Sequence, residues 1–101
     1  MTDRELDGVV NTQRLMVGGT IQATRLALQG RSVAVNVGGG FHHASRDNGM
    51  GLCIFNDIAV AIARLRAKGF QQPILVIDLD IHDGNGTRRI FAQDSTVHTY
   101  S

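Results

Sequence analysis

The chain has 101 residues, 43% apolar and 19% charged, with a formal net charge of +1. That length suffices for one small domain with its own core, and the near-zero charge excludes the basic footprint of a nucleic-acid or anionic-membrane binder. No apolar run is long enough to span a bilayer, the opening "MTDRELDGVV" lacks the apolar core of a secretory leader, and the lone Cys53 excludes an internal disulfide and fits a reducing, cytoplasmic setting.

Residues 12–29 read as a helix. Leu15, Met16, Gly19, Ala23, Leu26 and Ala27 share one face at three- and four-residue spacing. Gly18 and Gly19 weaken it, which implies close packing against a neighbour. Gly30 is the expected terminator. "RSVAVNV", 31–37, reads as a short strand. The segment 38–53 has five glycines and no period, so it reads as a long loop.

Residues 54–68 form the second predicted helix, with Ile58, Ile62 and Leu65 as its stripe and Gly69 as its stop. Asp57 complements the dipole in its first turn, and Arg64, Arg66 and Lys68 make a solvated basic end. "QPILVIDLD" is the second strand, "IHDGNG" a loop, "TRRIFAQ" a short helix and "STVHTYS" a third strand. Strands alternating with helices predict an α/β fold with a parallel sheet covered on both faces. The carboxyl ends of such strands share one edge, where ligands usually bind. Both unusual motifs, "GGGFHH" and "DLDIHDGNG", follow strands and land there.

Residues two apart in an extended chain project to one side, so Asp78, Asp80 and His82 point together if the strand persists. A carboxylate and an imidazole at that spacing both reach one divalent cation, of which zinc accepts such donors. In the other reading Asp80 caps the loop and His82 is a surface contact. Gly38–Gly40 let the chain turn sharply before His42 and His43. Histidine suits proton transfer near neutrality, and two neighbours diverge in character when one ring is held by an anion, Asp78, and the other by a neutral amide, Asn85. The alternative is a phosphate-cradling loop, although the Lys-Ser/Thr of a P-loop is missing. Cys53 is either a nucleophile or, in the plainer reading, a small apolar residue at a helix start. His98 reads as a structural or surface histidine.

"GGGFHHA", "GMGLCIFNDIAVAI" and "IDLDIHDGNGT", in this order and followed by "VHTYS", resemble the zinc-dependent histone deacetylase family, which includes acetylpolyamine and acetoin-utilisation deacetylases. The resemblance covers residues 12–101 and is nearest to bacterial and class IV-like members. It implies a three-layer arginase/deacetylase-like fold, incomplete here. Residues 1–101 are then an amino-proximal part of one catalytic domain, ending before the third metal ligand (an aspartate) and the carbonyl-polarising tyrosine. His98 and Tyr100 do not replace them.

Carried over by position, His43 matches the general base, His42 its electrostatic helper, and Asp78 the acid orienting His42. Asp80 and His82 match zinc ligands, with iron or cobalt as possible occupants. Gly51 and Leu52 match the acyl-lysine tunnel wall, with Leu52 where many members have phenylalanine. Asn85 stands where one branch has aspartate. The backbone carbonyls of Asp78, Asp80 and His82, with Ser101, resemble a structural potassium site. The implied activity is hydrolysis of the amide of an acetylated amine, acetyl-lysine or acetylpolyamine, without nucleic-acid or membrane partners. Two rival readings are a catalytically silent α/β fragment that oligomerises through an exposed sheet edge and a metallophosphoesterase. The latter leaves both histidines without a role.

Overall fold

A computed structural model describes residues 1–101. Helix α1 runs from Asp3 to Gly30, starting nine residues before the predicted boundary at residue 12. The cause is a capping box. The Thr2 hydroxyl accepts from the Glu5 amide at 3.1 Å, and the Glu5 carboxylate accepts from the Thr2 amide at 2.7 Å. Gly30 does not stop the helix; Arg31 does, in the left-handed conformation at φ 49°.

The inward face of α1 also differs from the apolar stripe. Gln13 and Val17 are buried, whereas Leu15 is 80% exposed and Leu26 47% exposed. Polar contacts set the rotation: Gln13 bonds Leu52 and Ile54, and Thr20 bonds Asp57, so the face carrying 13, 17 and 20 turns inward. Gly19 does serve close packing, since a Cβ there would lie 2.8 Å from the Asn36 side chain. Gly18 meets nothing and has no packing reason.

Residues 31–37 are not a strand. They carry the alternation of one, with Val33, Val35 and Val37 outward, but no neighbour pairs with them. A strand needs a ladder partner as well as a pattern. Between this segment and the sheet lies an apolar cavity of about 720 Å³, lined by Ala34, Leu65, Ile74 and Val76 among others.

Helix α2, Asp57–Ala67, starts three residues later than predicted because the Asn56 side chain caps it, accepting from the Ala59 amide at 3.0 Å. Gly69, at φ 94°, follows its end. Arg66 is not simply solvated. Its guanidinium donates to the carbonyls of Phe70 (3.0 Å) and Gln72 (2.7 Å) and to the Thr96 hydroxyl (3.0 Å), tying the helix end to the sheet's entry.

Strands β1, Ile74–Ile77, and β2, Val97–Tyr100, pair in parallel with Ile74 opposite Val97, and α3, Asn85–Ile90, connects them. Ile74, Val76 and Val97 face inward, while Leu75, Ile77 and Tyr100 are exposed. The expected cover on both sheet faces is therefore present on one. No helix is long and apolar enough to cross a membrane.

Two outcomes follow. Ile62, 5% exposed in α2, should cost about 2–5 kcal/mol when cut to alanine, measured by denaturant unfolding; a loss well under 1 kcal/mol would contradict the packing. The Thr2 amide and hydroxyl hold the Glu5 carboxyl below the usual glutamate range. The capping box therefore contributes fully above the pH where an unconstrained glutamate ionises, and this is lost as pH falls through the lowered value. A carbon-13 carboxyl titration should find Glu5 titrating below a free glutamate; a midpoint at or above it contradicts the box.

Candidate active site

The glycine run 38–40 is shaped by what lies beneath it. Gly40 sits at φ 96°, a conformation favouring glycine. A side chain on Gly39 would collide with the Asp57 carboxylate and lie 2.6 Å from the Thr20 hydroxyl. The amides of Gly40 (3.0 Å) and Phe41 (2.7 Å) donate to Asp57. The chain thus passes over a buried carboxylate and delivers His42, itself 7% exposed, to the end of the sheet.

The helix-start segment of α3 receives it. The amides of Gly86 and Thr87 donate to the His42 carbonyl at 2.9 and 3.2 Å. A Cβ on Gly86 would collide with the Ala44 carbonyl, so only glycine permits this approach.

The two imidazoles then find different partners. His42 Nδ1 lies 2.5 Å from Asp78 Oδ2. An ionised carboxylate only accepts, so that ring nitrogen carries the proton. His43 Nδ1 lies 2.6 Å from Asn85 Oδ1, while the Asn85 amide nitrogen faces Met50 Sδ at 3.7 Å. The ring centroids are 4.3 Å apart and tilted by 43°. One ring is held by an acid and its neighbour by a neutral amide.

The loop after β1 reaches the same place by a route other than the expected one. The strand ends at Ile77, so Asp78, Asp80 and His82 are not aligned by extended chain. Instead Asp78 Oδ1 accepts from the Asp80 amide at 3.0 Å, and Asp80 Oδ1 accepts from the His82 amide at 2.7 Å. These are successive aspartate turns, each reaching two residues on. The His82 amide holds the Asp80 carboxyl below the usual aspartate range, with smaller help from the imidazoles of His42, His82 and His43. Asp80 does cap its loop, as the plainer sequence reading has it. Its Oδ1 also lies 3.8 Å from His42 Nε2, and the His82 ring centroid lies 6.1 Å from that of His43.

An oxygen and a nitrogen donor therefore flank the tandem histidines, and both are types that zinc accepts. Nowhere do three His, Cys, Asp or Glu side chains gather closely enough to hold a metal ion. The donor chemistry fits zinc, and the donor number stops short of a closed site.

Ser101 joins the loop, its hydroxyl accepting from the Gly84 amide at 2.9 Å. Gly51, at φ 62°, stands beside the His43 ring, 3.7 Å from where its Cβ would be. The Leu52 side chain is 89% exposed, and its carbonyl is held by Gln13. Cys53 is free and buried, as a small apolar residue would be, and His98 is exposed.

The sequence reading missed Gln13, Thr20, Asn56, Asp57 and Thr87 as parts of the site. Asp57 is not merely a dipole complement: it is 1% exposed and takes donors from α1 and from the glycine loop. The only signal was an Asn-Asp pair before an apolar helix, which a cap alone also explains. The large cavity touches this region at Gly39, Gly40 and Asp57 and is lined by none of the histidines.

Residues 5–101 match the family profile described as the histone deacetylase domain. An uncharacterized protein of Picosynechococcus is 47% identical over 94 residues, covering 93% of this chain and 31% of that protein. The acetoin utilization protein AcuC of Staphylococcus aureus is 41% identical over 87 residues, covering 85% of this chain and 22% of that protein. A histone deacetylase homolog of Aquifex aeolicus superposes with a TM-score of 0.77 at 42% identity, covering 84% of this chain and 22% of that one. A structure of a histone deacetylase homolog complexed with SAHA matches equally well. The chain thus spans between about a fifth and a third of the length of these relatives.

A Cβ on Gly84 would strike the Asp78 carboxylate and lie 3.4 Å from His42 Nδ1. Gly84→Ala should therefore destabilise by about 1–3 kcal/mol, measured by denaturant unfolding. An unchanged midpoint would mean that the loop does not close over Asp78.

Proposed function

The chain belongs to the histone deacetylase family, and we propose that it forms the histidine-bearing part of a metal-dependent deacetylase acting on an acetylated amine. The substrate class is acetyl-lysine in a protein, such as a histone, or an acetylpolyamine. The observation that carries the reading is the unequal pairing of two adjacent imidazoles, His42 with Asp78 and His43 with Asn85.

That inequality assigns the work. A carboxylate behind an imidazole favours its charged form. His42 with Asp78 therefore stabilises negative charge developing on the amide as it is attacked. A neutral amide orients a ring without fixing charge on it. His43, backed by Asn85, is free to take a proton from the attacking water and return it to the departing amine. Gly51 and Leu52 stand at the substrate side of His43 and line the approach of the acyl chain.

Asp80 and His82 would hold the metal, zinc by donor type, with iron or cobalt as alternatives. Bound there, a divalent ion supplies Lewis acidity for the amide carbonyl and eases ionisation of water. Its third protein ligand and the tyrosine facing the substrate lie, in this reading, beyond Ser101. The carbonyls of Asp78, Asp80 and His82 with Ser101 are the proposed seat of a structural potassium ion. A buried, unpaired Cys53 suits the cytoplasm.

A second reading concerns residues 1–101 alone: a catalytically silent α/β piece that associates with itself. The exposed Val33, Val35, Val37, Leu75 and Ile77 favour it, because so much exposed apolar surface asks for cover. The phosphoesterase alternative gives the paired histidines nothing to do.

Acetate release from acetyl-lysine peptides and acetylpolyamines, assayed on the full-length protein carrying this sequence, tests the proposal. Turnover should require the metal. His43→Ala should lower it by about 10²–10⁴-fold and Asp78→Asn by about 10–100-fold. Deacetylation that survives both chelation and His43→Ala would refute it.

A further inference from the structure

Asn56 and Asp57 are consecutive, 5% and 1% exposed, and have opposite hydrogen-bonding roles. Every buried polar side-chain atom of the chain has a partner, these two included. Asp57 receives only donors: the Thr20 hydroxyl at 2.6 Å, the Gly40 amide at 3.0 Å and the Phe41 amide at 2.7 Å. No lysine or arginine pairs with it. Asn56 donates from one nitrogen to the Ala44 carbonyl at 3.0 Å and the Thr87 hydroxyl at 2.9 Å, while its oxygen caps α2.

These contacts bracket the tandem histidines. Asp57 holds the two residues before His42, and Asn56 holds the residue after His43. Through Thr87, Asn56 also reaches the helix whose first residue, Asn85, backs His43. We infer that the Asn56–Asp57 dipeptide is a positioning device, setting His42 and His43 in register with Asp78 and Asn85. This rests on the reaction proposed above and adds two residues to it that touch no reacting atom.

The physical case is one of directionality. An apolar floor under the glycine run would fill the space but leave the loop free to slide, because apolar contact is non-directional. A buried carboxylate accepting two successive backbone amides fixes both the height and the rotation of the chain at Gly40 and Phe41. A buried amide spanning a carbonyl and a hydroxyl fixes the distance between the histidine segment and α3. Small misplacements at such sites cost rate far beyond their size. A cap alone needs none of this, since capping uses only Asn56 Oδ1, which accepts from the Ala59 amide.

Nitrogen-15 spectra of the imidazoles in the 101-residue chain, at one fixed pH and without metal or substrate, provide the test. They report which ring nitrogen is protonated. The wild-type chain should show Nδ1–H in both His42 and His43. Asn56→Asp keeps the cap, because aspartate and asparagine cap equally well, but removes the donor to Ala44 and Thr87. Asp57→Asn keeps the shape and turns one acceptor into a donor.

Both variants should lose the Nδ1–H signature of at least one ring while the far-ultraviolet circular dichroism of the helices stays at the wild-type level. Wild-type imidazole signals in both variants overturn the proposal. So does loss of helical signal together with the ring signature in Asn56→Asp, which would make the dipeptide a matter of stability alone. A failed deacetylase assay beside the expected ring response would sink the reaction and leave the positioning intact. A wild-type chain without Nδ1–H in either ring sinks both.

Discussion

Burying a carboxylate without a cation is costly unless donors surround it, and Asp57 meets that requirement by recruiting three parts of the chain. Thr20 comes from α1, Gly40 and Phe41 from the loop after the unpaired segment, and the acid itself from α2. Once these are fixed, the helix pair, the glycine turn and the histidines have little freedom relative to one another. The rotation of α1 follows as well. Its buried face is chosen by Gln13 and Thr20, and Leu15 is left in water to satisfy them.

From that anchor the site assembles outward through directional contacts. The His42 carbonyl receives the first amides of α3, the Ala44 carbonyl receives Asn56, and α3 in turn presents Asn85 to His43. The loop after β1 winds through two aspartate turns and brings Asp78 behind His42. Two chemically identical side chains, adjacent in sequence, acquire different second partners. The proposed division of labour between neighbouring imidazoles needs that difference, and nothing intrinsic to histidine supplies it.

Much of this was legible in the residues. The strand–helix order and the continuous apolar run at 74–77 pointed to a parallel pair, and the pairing of Asp78 and Asn85 with different histidines is in keeping with chemistry that the sequence displays. What was hidden depends on tertiary partners. Residues 31–37 have the alternation of a strand and no neighbour to bond. The start of α1 lay in a Thr-x-x-Glu box ahead of any apolar period. Asp78, Asp80 and His82 converge by turns, not by strand geometry, a distinction invisible in a spacing of two. Asp57 looked like a common first-turn acid, because burial is a property of what packs over a residue.

The central claim is that an anion holds one imidazole and a neutral amide the other, each through Nδ1. Neutron diffraction from crystals of the chain locates those protons directly. The account predicts deuterium on Nδ1 of His42 aimed at Asp78 and on Nδ1 of His43 aimed at Asn85. A bare Nδ1 in either ring, or a ring turned away from its partner, would contradict it.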